Sequence, residues 1–328
     1  MNVNKKPLII LTGPTAVGKT ELSIKLAKAI GGEIISADSM QIYKHMDIGT
    51  AKIMPEEMDG VKHFLVDELE PNEEFNVVRF KEMADKAIEQ IYSRNHIPII
   101  VGGTGFYIQA ILFDIDFTKN GVDDGYRHEL EKIGAQNGAK YLHEMLKEVD
   151  EISAENIHAN NMKRVIRALE YFHQTGEPIS THNEEQMQKQ STYNFVYFVL
   201  NNNREILYDR INKRIDIMIE KGLIDEVKKL KDLGYTKEMV SMQGLGYKEF
   251  LDYLDGNIEL EEAIYILKRD TRHFAKRQLT WFKREPDVVW MDYSKYNNNA
   301  DEILKEMLEM INDKNIITGK KDIKENQI

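Results

Sequence analysis

The residues with the most chemistry in their spacing are Gly13, Pro14, Thr15, Ala16, Val17, Gly18, Lys19 and Thr20. Glycine, four residues, then Gly-Lys-Thr is the pattern of a phosphate clamp. Glycines let successive backbone N–H groups turn inward onto an anion. A helix that starts there adds unpaired donors and the positive end of its dipole. Lys19 brings a mobile charge, and the Thr20 hydroxyl can ligate Mg2+. The loop binds phosphate or diphosphate without saying whose. Asp38, in Ala37-Asp38-Ser39-Met40-Gln41, is a candidate general base or Mg2+ ligand, and the same residue type also caps turns. Gly102-Gly103-Thr104-Gly105 offers a second place where backbone can approach a ligand, with the Thr104 hydroxyl able to donate; a tight strand-to-helix turn reads the same way. The fourth group is a basic run: Lys268, Arg269, Arg272, His273, Lys276, Arg277, Lys283 and Arg284, opposed by Asp270. Trp281 and Phe282 are interleaved with it. Cations with aromatics suit a nucleic-acid backbone and an unstacked base; a solvated helix face is the plainer account.

These groups need a frame. An apolar run at 8–11 predicts a first strand feeding the phosphate loop, with a helix at 21–30 behind it. A second strand at 33–36 would place Asp38 just past its carboxyl end, where α/β sheets open their crevice. Residues 46–59 read as a loop and 63–67 as a short strand with an edge histidine, His63. Apolar spacing over 76–93 predicts a core-facing helix. Residues 97–101 show no alternation, as expected of a buried parallel strand, and run into glycines. ATP-hydrolysing relatives of this loop usually end such a strand in an acidic Mg2+ ligand. From 114 to 190 the strands disappear: helices are expected at 127–136, 139–148 and 161–173, the last closed by Gly176 and Pro178. A strand returns at 195–200. Helices follow at 204–233, broken at Gly222, with Arg210 and Arg214 sharing a face as phosphate-binding arginines could. Gly244 and Gly246 interrupt before a helix at 261–284, and a strand at 288–291 and a helix at 301–312 close the pattern. The expected fold class is α/β, a P-loop NTPase-like parallel sheet core with an inserted helical domain. The core takes residues 1–114 and 193–312, the insertion 115–192, and a disordered tail 313–328.

Composition bounds the rest. The chain has 328 residues, 42% hydrophobic and 30% charged, with no cysteine. That excludes a disulfide framework, thiol catalysis and a cysteine zinc site, and it fits a cytoplasmic protein. No apolar stretch is long enough for a membrane span, and the start, MNVNKKP, precedes too short an apolar run for a signal peptide. The net charge of −11 opposes non-specific nucleic-acid binding, so the basic run stands out.

In their order, the motifs resemble the tRNA dimethylallyltransferases, also called tRNA isopentenyltransferases. They are GPTAVGKT (13–20), SADSMQIY (36–43), MDIGTAK (46–52), GGTGFY (102–107), KRVIRALE (163–170), TGEPIS (175–180), MQGLGYKE (242–249) and TRHFAKRQLTWFKR (271–284). The resemblance implies transfer of a dimethylallyl group from dimethylallyl diphosphate to N6 of adenine 37, next to the anticodon of tRNA, with Mg2+ and release of diphosphate. It makes Asp38 the general base, puts Thr104 near the reacting centre, and assigns Gly13 and Thr15 to Thr20 to the diphosphate, with Thr20 on the metal. It assigns contacts with the tRNA anticodon stem-loop to Asp38, Ser39, Met40 and Gln41, to Arg127, and to Met162, Lys163, Arg164, Val165 and Ile166. The same holds for Gln243, Gly244, Leu245, Gly246, Tyr247 and Lys248, and for Lys276, Arg277, Gln278, Leu279, Thr280, Trp281, Phe282 and Lys283. A monomer is expected. Two other readings stay open on the residues: a P-loop kinase or NTPase moving phosphoryl from ATP to a small molecule, and a non-catalytic RNA-binding protein regulated by nucleotide.

Overall fold

The computed structural model describes residues 5–117 and 124–317. Most of the polar tail, from 318 onward, lies outside the described residues, as does the stretch 118–123 before Arg127. The chain divides into two units, Met1–Ile111 with Thr192–Ile328, and Leu112–Ser191.

The elements run β1 (Lys6–Thr12), α1 (Lys19–Ile30), β2 (Gly32–Ala37), β3 (His63–Phe64), α2 (Val77–Ser93), β4 (Ile97–Gly102) and α3 (Gly105–Leu112). Five helices follow: α4 (Asp124–Asn137), α5 (Ala139–Val149), α6 (Glu151–Asn156), α7 (Met162–Thr175) and α8 (Ile179–Met187). The chain then continues through β5 (Tyr193–Asn201), α9 (Arg204–Glu220), α10 (Leu223–Asp232), α11 (Tyr247–Leu254), α12 (Leu260–Phe282), β6 (Val288–Asp292) and α13 (Ala300–Asp313).

The six strands form one parallel sheet in the order β3-β2-β4-β1-β5-β6. Leu8, Ile9, Ile10 and Leu11 in β1 are all fully buried, as a strand covered on both faces must be. The chain leaves β1 towards β2 on one side and later fills β5 and β6 on the other. The crevice of an open α/β sheet lies at such a reversal, outside the carboxyl ends of the strands. Helix α2 begins at Asn76, whose side chain accepts from Val78 N and Arg79 N, and buries Phe80, Ala84, Ala87, Ile88 and Ile91. The strand expected at 63–67 is shorter. Leu65 and Asp67 both take φ of 60°, which ends extended pairing after Phe64.

The helical unit has its own core: Leu130, Leu142, Leu146, Val165, Ile166 and Leu169 are buried together. Gly134 permits the close approach, since a Cβ there would stand 2.5 Å from Met162 Cε and 2.7 Å from Leu142 Cδ1. Asp150 accepts from Ser153 N (2.9 Å), Ser153 Oγ (2.7 Å) and Ser180 N (3.0 Å), so it joins the starts of α6 and α8. Neither helix is expected from the sequence: α6 has only six residues and α8 has little apolar spacing. Among the described residues no helix is long and apolar enough to cross a membrane.

Candidate active site

The phosphate loop gets its shape from β1 and α1. Gly13 and Gly18 take φ of 146° and 111°, values that side chains rarely adopt. A Cβ on Gly13 would also lie 2.5 Å from Leu200 O of β5. Gly18 caps α1 with no side-chain acceptor, so the first-turn N–H groups stay available to an anion. Lys19 Nζ donates to Gly13 O (3.0 Å) and Pro14 O (2.8 Å), which holds the ammonium across the loop. Burial and, second to it, the nearby Arg214 guanidinium bring the Lys19 pKa down to about 8, with Asp38 partly countering both.

Strands β2 and β4 place the other two groups. A Cβ on Gly102 would come 2.3 Å from Ala37 O, so only glycine lets the strand ends meet here. Thr104 N donates to Ala37 O (3.2 Å), and Thr104 O accepts from Tyr107 N and Ile108 N at the start of α3. Asp38 Oδ1 accepts from Met40 N (2.8 Å) and Gln41 N (3.3 Å). Turn capping therefore uses only part of the carboxylate: Oδ1 fixes the turn, and Oδ2 has no donor among the described residues.

A cavity of 320 Å3 brings these groups together: Thr15, Asp38, Thr104, Arg214, Arg277 and Lys248 share its lining. Ile211, Ile215, Met218, Leu223 and Leu267 give it an apolar wall. Arg277 lies 5.7 Å from the centroid of the Phe274 ring, which also lines the cavity. Gln278 of α12 joins two loops: its Oε1 accepts from Thr15 N (2.9 Å) and its Nε2 donates to Gly103 O (3.1 Å). Glu226 of α10 holds a third. Its carboxylate accepts from Asp47 N (2.9 Å), Ile48 N (2.8 Å), Gly49 N (3.0 Å) and Tyr247 Oη (2.7 Å). Gly49 sits against the Tyr247 ring, where a Cβ would approach within 2.6 Å. Gln41 Nε2 reaches Thr50 O (3.3 Å) and Ala51 O (3.1 Å), tying the same loop to the end of β2.

Several expected RNA contacts have other occupations. Gln278 is buried in the bridge just described, Tyr247 is buried against Glu226, and Phe282 is fully buried. Trp281 packs on Gly105 and edge-on to Phe106, 6.3 Å between centroids. Val165 and Ile166 point into the helical core, so of the segment 162–166 it is Lys163 and Arg164 that are exposed. Arg127 makes a bidentate pair with the buried Glu170 (2.8 and 2.7 Å). Lys276, Leu279 and Lys283 line a separate cavity, and Thr280 is exposed.

The basic run splits in two. Lys268 pairs with Asp216 (2.5 Å), Arg269 with Asp270 (2.7 Å), and Arg272 donates to Asn212 Oδ1 (2.7 Å). Lys276, Arg277, Lys283 and Arg284 are exposed and have no carboxylate partner among the described residues. The sequence showed neither this division nor the roles of Glu226 and Gln278. Each depends on partners distant in the chain, up to 263 residues away, and Glu226 reads locally as one more charge on an amphipathic helix.

Thr20 stands in the exposed first turn of α1. Among the described residues no cluster of three or more His, Asp or Glu could hold a metal by itself. A hydroxyl outside any such cluster suits an ion that arrives on a diphosphate, because Mg2+ keeps water and substrate oxygens as most of its ligands.

A family model described as IPP transferase matches residues 41–285. The tRNA dimethylallyltransferase of Lachnoclostridium phytofermentans is 64% identical over 312 residues, covering 95% of this chain and 99% of that one. The crystal structure of the full-length tRNA isopentenylpyrophosphate transferase of Bacillus halodurans is 46% identical with a TM-score of 0.70, covering 95% of this chain and 98% of that one. A eukaryotic dimethylallyltransferase seen acting on tRNA is 30% identical with a TM-score of 0.80, covering 94% of this chain and 79% of that one. With matches of this extent, the chain belongs to the IPP transferase family.

Proposed function

We propose that this protein transfers a dimethylallyl group from dimethylallyl diphosphate to N6 of adenine 37, beside the anticodon of tRNA. The observation that carries the reading is the single cavity where Thr15 of the phosphate loop, the Asp38 carboxylate and an apolar wall meet. The loop and Lys19 hold the diphosphate; Ile211, Ile215 and Met218 accept the branched five-carbon group. The Phe274–Arg277 pair gives an unstacked adenine a platform. The N6 nitrogen bonds to C1 of the allylic group as the C1–oxygen bond breaks. Asp38 takes the N6 proton, and the electron pair leaves with the diphosphate. Fixed positive charge from Lys19, Arg214 and the loop N–H groups stabilises that leaving anion. Thr20 would hold Mg2+, which when bound supplies further charge neutralisation at the diphosphate. Strand β4 ends in Gly102, with no carboxylate at the place where ATP-hydrolysing proteins hold Mg2+.

The protein acts as a monomer in the cytoplasm on this reading, with the helical unit serving the RNA. The test is release of diphosphate. Turnover should require both tRNA and dimethylallyl diphosphate and should not occur with ATP as donor. Phosphoryl transfer from ATP, with the allylic diphosphate left intact, would overturn the proposal.

A further inference from the structure

A second cavity, of 330 Å3, lies at the ends of β5 and β6 and is lined by Asn201, Arg204, Tyr208, Lys276, Lys283 and Trp290, among others. No carboxylate belongs to its lining. Lys276 and Lys283 are exposed and without a carboxylate partner among the described residues. The Arg204 guanidinium stands 5.0 Å from the centroid of the Tyr208 ring. Trp290 sits in the edge strand β6, in register with Val199, and is partly exposed. Asn201, the last residue of β5, donates to Asp292 Oδ2 (3.4 Å) and keeps its side-chain carbonyl as an acceptor. The cavity thus offers aromatic rings, the Asn201 amide carbonyl for a base edge, and three cations for a phosphate.

Its position on α12 gives it meaning. Phe274, Arg277 and Gln278 line the reaction cavity, while Lys276, Leu279 and Lys283 line this one. At 3.6 residues per turn these sets occupy opposite sides of the helix. A strand crossing α12 could therefore place one base on each side, separated by about the 10–12 Å width of a helix. We propose that this cavity holds an unpaired nucleotide of the RNA substrate, in the same loop as the reacting adenine. The base stacks on Trp290 or Tyr208, and its phosphate meets Lys276, Lys283 and Arg204. Captured there, the neighbouring nucleotide pins the strand across α12 and keeps the target base extruded. The proposal rests on the RNA-modifying reading above.

The test is a coupling experiment without the allylic donor, so that chemistry plays no part. Anticodon stem-loops carrying one abasic site at each loop position in turn are bound to the wild type and to Trp290→Ala and Tyr208→Ala. One abasic position other than the target should weaken wild-type binding about tenfold, the size of one base–aromatic stack. The same RNA should bind at least one variant no more weakly than the intact stem-loop does. Trp290→Phe should restore the wild-type pattern, and melting curves establish that each variant is folded. If Trp290→Ala does not fold, the partly exposed Tyr208→Ala carries the comparison alone. Full additivity at every position overturns the proposal. So does binding of free AMP to the pocket, read from Trp290 fluorescence, with no coupling to any loop position, since the occupant is then a free nucleotide. If the wild type fails to bind any intact stem-loop, the RNA-modifying reading falls first and this one with it.

Discussion

One acidic residue opens strand β2 and another follows its end, and the two have opposite fates. Glu33 lies at the start of the strand, in register with Pro98, with a side chain only 6% exposed. Its oxygens take Arg94 Nε (3.0 Å), Arg94 Nη2 (2.6 Å) and His96 Nδ1 (2.5 Å). Asp38 follows the other end. One of its oxygens fixes a turn, and the carboxylate lines the cavity with Lys19 near but not bonded to it. A carboxylate whose two oxygens are both held by Arg94 and His96 side chains serves to hold the fold. One that keeps an oxygen for the cavity can take a proton. The parallel sheet itself creates the asymmetry, because its carboxyl edge is where loops open into the crevice.

The sharpest way to break this comparison is Asp38→Asn. It should cut turnover by at least about a hundredfold, the usual scale for losing a general base, while tRNA affinity and melting temperature stay put. Retained turnover would remove Asp38 as the base. Next comes Glu226→Ala, which strands three backbone N–H groups and the Tyr247 hydroxyl. Urea unfolding should show a loss of about 2–3 kcal/mol, with activity falling as the loop at 47–49 loosens. Gln278→Ala should be milder: about 1 kcal/mol of stability and a higher KM for the allylic diphosphate, because only the tie between Thr15 and Gly103 is lost.

The smallest effect belongs to Glu33→Gln, which should cost about 1 kcal/mol at neutral pH and leave kcat unchanged. Burial pushes the Glu33 carboxyl up, but hydrogen bonds from Arg94 and His96 outweigh it and the net pKa is lowered. A lowered carboxyl pKa stabilises above the unfolded value of about 4.3 and stops doing so as pH falls through the folded value. The wild-type advantage over Glu33→Gln should therefore close on acidification. An advantage that grows in acid would contradict the pairing.

What the sequence made legible follows from the range of the interactions. The phosphate loop, β1, α2 and β4 were readable because glycine spacing, apolar periodicity and caps act within a few residues. Asp38 was readable as a candidate because it follows a strand end. The grip of Glu226 on Gly49 and the bridge from Gln278 to Thr15 were not, since nothing near either residue in the chain points to its partners. The basic run was visible as composition. Its split into a paired half and an open half depends on Asp216 and Asn212 of α9 facing α12, which only the packed helices show.

The central claim is that the phosphate loop holds a leaving group while carbon is transferred. It is tested most directly by digesting tRNA after incubation with the protein, Mg2+ and dimethylallyl diphosphate, and weighing the nucleosides. The account predicts adenosine heavier by one five-carbon unit at a single position beside the anticodon. Unaltered adenosine, or a phosphorylated product formed from ATP in its place, would contradict it.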